Sequence, residues 1–207
     1  MNDTRVMIQF ITDSLHTLKK HNITCEFINK KQVEFGDGTV ACGYFDEKES
    51  KIAIAIGKPL EVWFDVFVHE YCHFEQWTEG IELWDKCLYE GEEVLDRVMQ
   101  HFNGDLKLSK KLVNDYIHFT AQLEKDCEMR VLDKAVKCGL PIDPKDYARA
   151  ANSYVVFYYA MKEFKRWYKE PPYDFYDILD VMPDHMEGVD HKALADEHIE
   201  LFRECCL

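Results

Sequence analysis

The sequence predicts a mixed α+β fold, in which a helix and a small antiparallel sheet precede a helical bundle. Apolar residues recur every three or four positions near the N-terminus, alternate in short runs up to Gly57, and then return to a helical period. Strands grouped ahead of helices, rather than alternating with them, are typical of α+β architecture. A chain of 207 residues suits a single domain, with helix and sheet in residues 1–57 and mainly helices in residues 58–207.

The N-terminal part is predicted to form one helix and a meandering sheet. The helix covers residues 4–20, and short strands follow at 23–28, 32–35, 39–45 and 51–56. Turn residues separate the later strands, with Asp37-Gly38 and the polar run 46–50 as the clearest examples. The run KIAIAIG at the last strand alternates strictly, which predicts a strand with one buried face.

The remaining chain is predicted to be helical, with boundaries at glycines and prolines. Pro59 suits a first helical turn, Gly80 and Gly104 follow helix ends, and Pro171-Pro172 interrupts the pattern near the C-terminus. The predicted helices cover residues 60–77, 84–102, 109–137, 144–168, 173–181 and 191–205.

The composition argues against several classes of partner. A net charge of −14, spread along the chain, repels phosphate backbones and makes nucleic acid an unexpected ligand. Apolar runs stay shorter than the roughly 18 residues of a membrane span, and the N-terminus does not resemble a secretion signal. The eight cysteines are therefore expected to be reduced thiols in a cytoplasmic protein, most of them packed as small apolar residues.

The segment His69-Glu70-Tyr71-Cys72-His73 predicts a catalytic zinc site. On a helix, positions i and i+4 lie one turn apart on the same face, so both imidazoles can reach one Zn²⁺ ion. Glu70 adjoins the first ligand and can act as a general base toward a metal-activated water. The alternative is a buried helix whose histidines only make core hydrogen bonds, but the glutamate, the spacing and the apolar setting must then coincide by chance.

A catalytic zinc site needs a third protein ligand. A metzincin would carry glycine at position 76 and histidine at 79, whereas this chain has Gln76 and Glu79. Glu128 and Glu124 border the apolar stripe of the helix at 109–137, where a carboxylate is costly unless it is paired or binds a metal. We expect Glu128, or else Glu124, as the ligand, although both could instead lie in water. Later histidines also remain possible, at His101, His118, His185, His191 and His198.

Two further roles are suggested near the proposed site. The unused glutamate, or Asp126, could accept the remaining N–H of a zinc-bound histidine and select its tautomer. Tyr154, or Tyr158 one turn later, could donate a hydrogen bond to an oxyanion, although an aromatic stripe is more often plain core. Cys72 and Cys127 adjoin the proposed ligands, and buried packing is the expected role for both.

The pattern His69-Glu70-x-x-His73, followed about fifty residues later by a helical glutamate, resembles the minimal gluzincins, including the ImmA/IrrE-type peptidases. The strings VFVHEYCHFEQW and LEKDCEMR, with ANSYVVFYY after them, also resemble uncharacterised metallopeptidases of tailed bacteriophages. The resemblance implies a minimal zincin-like fold, zinc, peptide hydrolysis and, for a phage protein, the cytoplasm of a host cell. Glu75 departs from the family pattern, in which an apolar residue is more common.

The expected function is therefore a zinc-dependent hydrolase, a gluzincin-like metallopeptidase acting on a peptide or protein substrate. The alternating strand before the motif would hold that substrate by strand addition. An alternative is a non-catalytic, metal-stabilised protein that binds a basic partner through its acidic surface. A zinc hydrolase of non-peptide amides is a third possibility. The sequence leaves the oligomeric state open.

Overall fold

A computed structural model describes residues 3–34 and 40–207 and confirms the α+β fold class. The predicted turn Asp37-Gly38 lies outside the described residues. The first helix is α1 (Asp3–Lys20), and short strands follow: β1 (Thr24–Ile28), β2 (Val33–Glu34), β3 (Val40–Ala41), β4 (Gly43–Asp46) and β5 (Lys51–Ala55). The later elements are α2 (Leu60–Glu79), α3 (Glu82–Lys86), β6 (Leu88–Tyr89), β7 (Glu92–Glu93), α4 (Val94–Asn103), α5 (Lys110–Cys138), α6 (Pro144–Phe164), α7 (Tyr176–Val181) and α8 (His191–His198). Single 3₁₀ turns occupy Pro172–Asp174 and Leu201–Cys206.

The chain divides into two compact units. The first comprises the described residues up to Glu79 together with Arg130–Ile142, and it holds α1, α2 and the strands β1 to β5. The second comprises Gly80–Met129 and Asp143–Leu207, and it is mainly helical. Helix α5 contributes its first part to the second unit and its last part to the first. No helix among the described residues is long and apolar enough to cross a bilayer.

The main sheet differs from the predicted meander. Its order is β1-β5-β4, with β5 parallel to β1 and antiparallel to β4. Strands β2 and β3 pair separately as a short antiparallel ribbon. The most apolar strand takes the central position, where both of its edges are paired and neighbouring elements cover both of its faces.

Strand β5 buries both faces, so the expectation of one buried face was wrong. Ile52 and Ile54 join a core cluster with residues of α1 and α2, whereas Ala53 and Ala55 pack on the other side against Val33. The alternation in KIAIAIG is one of large and small apolar residues, not of apolar and polar ones. The pattern therefore identified the strand but did not reveal its second buried face.

Helix α2 packs its aromatic side chains on this sheet. Phe67, Tyr71 and Phe74 belong to the same buried cluster as Ile52 and Ile54 of β5. The helix approaches closely at Gly43 of β4, where a Cβ atom would lie 2.7 Å from Cγ1 of Val66 and 3.1 Å from the carbonyl oxygen of Ala53. A side chain at this position would push α2 away from the sheet.

The helix predicted at residues 84–102 is interrupted by a tight hairpin. Strands β6 and β7 pair around Glu90-Gly91, and both turn residues have positive φ, at 54° and 82°. Two consecutive residues of this kind form the two-residue turn that matches strand twist. Gly91 was the sequence signal, but the flanking apolar period resembled one continuous helix. In α6, by contrast, the predicted start at Pro144 is confirmed and Asp143 caps it, while Lys165 in the left-handed region ends the helix before position 168.

A buried polar network ties α6 to α8 in the second unit. The Asn152 side-chain amide donates to the carbonyls of Pro183 and His185 at 2.8 and 2.9 Å. Its Oδ1 atom must then accept, so His191 Nε2 donates to it at 2.7 Å. Asn152 is fully buried and His191 is 3% exposed, so each hydrogen bond satisfies a group that would be costly to leave unpaired.

This network predicts a loss of stability in mild acid. Burial, and secondly the Lys125 charge, lower the pKa of His191 from 6.5 to about 4. Between these values the unfolded chain binds a proton at His191 that the folded chain does not bind. The free energy of unfolding should therefore fall as the pH drops from 6.5 to 4, by up to about 3 kcal/mol.

Replacing His191→Gln keeps a donor for Asn152 and removes the titration. Urea unfolding at several pH values should then show a flatter profile for this variant between pH 6.5 and 4. His185→Gln is the matched control because His185 is exposed, and it should retain the slope of the natural protein. Parallel profiles for His191→Gln and the natural protein would contradict the prediction.

Candidate metal centre

The two motif histidines converge on α2, as helix geometry predicted. The Nε2 atoms of His69 and His73 lie 3.1 Å apart, and both imidazoles are partly exposed. Two nitrogens bound to one tetrahedral metal ion at about 2.1 Å would be separated by about 3.4 Å. The observed separation therefore fits a shared metal ion after a shift of a few tenths of an ångström, as well as a hydrogen bond between the rings.

Gln76 holds the ring of His73 from the other side. His73 Nδ1 and Gln76 Oε1 lie 2.8 Å apart, and Gln76 is fully buried. Because the amide oxygen only accepts, Nδ1 carries the proton and Nε2 keeps its lone pair for a metal. Gln76 therefore fills this role for His73, whereas the expectation that an acidic residue of α5 serves a zinc-bound histidine stays a prediction for His69. The signal in the sequence was a buried amide at i+3, on the same helical face as His73.

Glu70 and Glu75 are two carboxylates of α2 with different surroundings. Glu70 follows His69 directly in the chain and is 8% exposed, so its side chain lies in a largely dry environment. Glu75, the departure from the family pattern, pairs with Lys134 Nζ at 2.5 Å in a partly buried salt bridge. The same ammonium group lies over the Tyr71 ring. A charged residue is tolerated at position 75 because Lys134 neutralises it.

The predicted carboxylates of α5 are both buried. Glu124 is 9% exposed and Glu128 is 5% exposed, so the alternative in which they lie in water is excluded. The Tyr147 hydroxyl of α6 donates to Glu128 Oε2, a partner that the sequence did not indicate. The charge of Glu124 contributes to the raised pKa values of a pair of tyrosines of α6, which indicates that Glu124 lies near them. Whether either glutamate binds the metal stays a prediction.

A cysteine joins the histidine pair among the described residues. One ligand atom each of His69, His73 and Cys127 lies within 4.8 Å of the other two, and this group could hold a metal ion. Cys127 is fully buried, as the sequence predicted, but packing is not its only available role. Its position three residues after Glu124 and one before Glu128 was the signal that could have included it among the candidate ligands.

Tyr154 and Tyr158 form a hydroxyl pair on α6. Their oxygen atoms lie 2.8 Å apart. Burial is the main cause that raises the pKa of both hydroxyls well above the usual value. For Tyr154 the charges of Tyr158 and Glu124 add to it, and for Tyr158 the charge of Glu124 does. Both tyrosines therefore keep their protons near neutral pH and can act as donors. The oxyanion role of Tyr154 stays a prediction.

The later histidines have other surroundings and are not part of the metal-binding group found in the described residues. His118 Nδ1 lies 3.0 Å from the Tyr159 hydroxyl, and His191 binds Asn152. His101 lies beside the backbone of residues 106 and 108, and His185 and His198 lie beside neighbouring acidic residues.

No protein-family model, curated protein or solved structure matches this chain. The resemblance to gluzincins therefore rests on the motif residues alone. The geometry at those residues carries the functional argument.

The Gln76 hydrogen bond predicts a measurable effect on metal binding. Replacing Gln76→Leu removes the acceptor while nearly keeping the volume, so His73 loses its fixed tautomer. Affinity for a divalent transition metal, measured by calorimetric titration with Zn²⁺ or Co²⁺, should fall about 10- to 100-fold. Gln76→Glu keeps an acceptor and should restore most of the affinity. Gln9→Leu on the exposed face of α1 is the control and should change nothing. Equal affinities for Gln76→Leu and the natural protein would overturn the assignment.

Proposed function

We propose that this protein is a zinc-dependent hydrolase that cleaves peptide bonds. One observation carries the proposal: the Nε2 atoms of His69 and His73 converge at 3.1 Å, and Glu70, the residue that follows His69, is buried. A metal-binding pair next to a candidate general base is the arrangement from which water-activating zinc sites are built. The partial exposure of both imidazoles supports access for water and a substrate.

The donor chemistry supports zinc as the metal. Imidazole nitrogen and thiolate sulfur are the ligands that zinc prefers, and a thiolate disfavours hard cations such as Mg²⁺ or Ca²⁺. His69, His73 and Cys127 are of these types, and a carboxylate from Glu124 or Glu128 is also acceptable to zinc. A zinc ion held there would act as a Lewis acid toward the substrate carbonyl and lower the pKa of a nearby water.

The residues of the chain supply the proton transfers. The Glu70 carboxylate accepts a proton from the attacking water as the new C–O bond forms. It then gives that proton to the amide nitrogen as the C–N bond breaks. Tyr154, which keeps its proton, donates a hydrogen bond to the carbonyl oxygen as negative charge develops there. Gln76 keeps His73 in the tautomer that leaves Nε2 available.

The third ligand is the part of the proposal that the residues leave open. Cys127 fits by proximity to the histidines, whereas Glu124 and Glu128 fit the resemblance to gluzincins. The Tyr147 hydroxyl donates to Glu128. This hydrogen bond is compatible with a carboxylate that Tyr147 orients toward the metal, and also with one that binds Tyr147 alone. We propose a site with one of these three groups as ligand and one position left for water.

Single substitutions at these positions should identify the third ligand. Cys127→Ser, Glu124→Gln and Glu128→Gln each remove one anionic donor with little change in volume. We expect one of them to weaken zinc binding by at least about 100-fold and the other two by less than about tenfold. Competition with a chromogenic zinc chelator provides the measurement. Glu163→Gln, at an exposed position of α6, controls for loss of a negative charge. Three unchanged affinities would exclude all three candidates.

The peptide substrate is proposed from the resemblance to gluzincins alone, because the structure does not support strand addition at β5. Strand β5 precedes the motif helix and was expected to hold a substrate by strand addition. It is paired on both sides, by β1 and β4, so no backbone edge is open to a further strand. An experiment must therefore determine whether the substrate is a peptide or a non-peptide amide.

Replacing Glu70→Gln should abolish hydrolysis while zinc remains bound. The amide cannot accept the proton, so turnover should fall at least about 100-fold. The assay is mass spectrometry of a mixed peptide library, with a parallel set of non-peptide amides. Zinc content is measured on the same samples by atomic emission. Glu61→Gln, exposed at the start of α2, should retain full activity. Undiminished cleavage by zinc-loaded Glu70→Gln would refute the mechanism, and cleavage of non-peptide amides alone would refute the substrate class.

A second candidate function is supported by the cysteine. Closed structural zinc sites commonly combine histidine and cysteine ligands. If Cys127 and a glutamate both bind, four protein ligands leave no place for water, and the protein would be a metal-stabilised binding module for a basic partner. Visible absorption of the Co²⁺-loaded protein, titrated with azide, separates the two functions, because only the catalytic site has a bound water that an added anion can displace.

A further inference from the structure

A second cluster of polar side chains lines an open cleft in the mainly helical unit. The cleft has a volume of about 430 Å³ and lies among α5, α6 and the segment that leads into α8. Its lining includes two lysines, an imidazole, an amide, a hydroxyl and one carboxylate, from Lys125, Lys192, His118, Gln122, Tyr159 and Asp190. More cationic than anionic side chains line this cleft, although the whole chain carries a net charge of −14.

Internal hydrogen bonds hold the donors of this cleft in place. Gln122 Nε2 donates to the Tyr159 hydroxyl at 3.3 Å, and His118 Nδ1 lies 3.0 Å from the same oxygen. Lys125 Nζ donates to the carbonyl of Val189 at 3.2 Å, which fixes the ammonium group at the cleft wall. Each ammonium has three N–H groups and each amide has two, so donors remain after these contacts.

The one carboxylate of the lining is committed to the backbone. Asp190 caps α8, and its Oδ1 accepts from the Ala193 N–H at 3.0 Å. Lys192 forms a salt bridge with Asp196 at 2.7 Å, but both side chains are largely exposed, so the pair is weak. His191 turns inward to Asn152 and adds no charge near neutral pH, because burial and then the Lys125 charge lower its pKa to about 4.

The cleft is separate from the candidate metal ligands of α5. A residue advances about 100° around a helix, so His118, Gln122 and Lys125 share one face. By this count Cys127 and Glu124 lie on the opposite side of the same helix, and Glu128 lies about a quarter turn from the cleft face. A ligand in the cleft would therefore bind away from the metal-binding side of α5.

We propose that this cleft is a binding site for a small oxyanion, such as a phosphate or a carboxylate group. Lys125 and Lys192 supply the positive charge, and Gln122 and Tyr159 supply oriented donors. Fixed donors beside two ammonium groups favour a ligand with several acceptor oxygens, because charge-assisted hydrogen bonds are the stronger kind. This site is independent of the proposed hydrolase activity.

The test titrates the full chain, ¹⁵N-labelled and without added metal, with inorganic phosphate and separately with acetate at constant ionic strength. Saturable shifts should appear at the backbone amides of residues 188–192 and around Gln122. Saturation by phosphate alone would identify a preference for a dianion, and saturation by both would show that one negative charge is sufficient. Either result supports the site, whereas the absence of saturable shifts with both anions overturns it.

Matched variants show whether the lysines of the cleft carry the binding. Lys125→Met should weaken phosphate binding by about fivefold or more, because one charge-assisted donor is lost. Lys162→Met removes an equal charge from α6 outside the cleft, where Lys162 contacts Asn114, and should change binding less than about twofold. If Lys125→Met fails to fold, exposed Lys192→Met provides the same comparison. If Lys162→Met weakens phosphate binding equally, the effect comes from net charge alone and the proposal is overturned.

Discussion

The packing of α2 on the three-stranded sheet is the constraint on which the candidate site depends. Phe67, Tyr71 and Phe74 cover one face of the helix with apolar contacts to β5. Each of these buried aromatic rings contributes on the order of 2 kcal/mol relative to exposure, so rotation of the helix about its axis would be costly. His69 and His73 lie on the far side of the same helix. The sheet therefore orients the histidines without touching them.

Several buried or partly buried polar groups are matched with partners. Glu75 pairs with Lys134, His73 with Gln76, and Asn152 with His191, each in a different part of the fold. Because an uncompensated polar group in a dry interior costs about 1–3 kcal/mol, such pairs restrict their surroundings to one arrangement. At the histidine pair, the hydrogen bond between His73 and Gln76 has a second consequence. The hydrogen bond that satisfies Gln76 also decides which imidazole nitrogen faces a metal.

Features set by residues close together in the sequence were mostly predicted, whereas features set by residues far apart were mostly missed. Helix α5 was located within one residue at each end, because an apolar period and a glycine stop are local signals. The split of the helix predicted at 84–102 was missed, since the turn at Glu90-Gly91 competes with an equally local apolar period. At the site, the motif predicted the histidine pair. Gln76 was used only to exclude one class of zinc site, although its place three residues after His73 on α2 was a local signal. Cys127 was assigned to packing, because its proximity to the histidines does not follow from spacing on a single helix.

The sequence by itself determined the fold class, the helix that carries the motif, and the spacing that brings two imidazoles to one face. These features depend on contacts within a few residues and on the burial of apolar side chains. Tertiary structure decided the parallel pairing of β1 with β5, the burial of both faces of β5, and the proximity of Cys127 to the histidines. Such features join residues far apart in the chain. They depend on which surfaces are left to cover once the local elements have formed, and no local pattern records that choice.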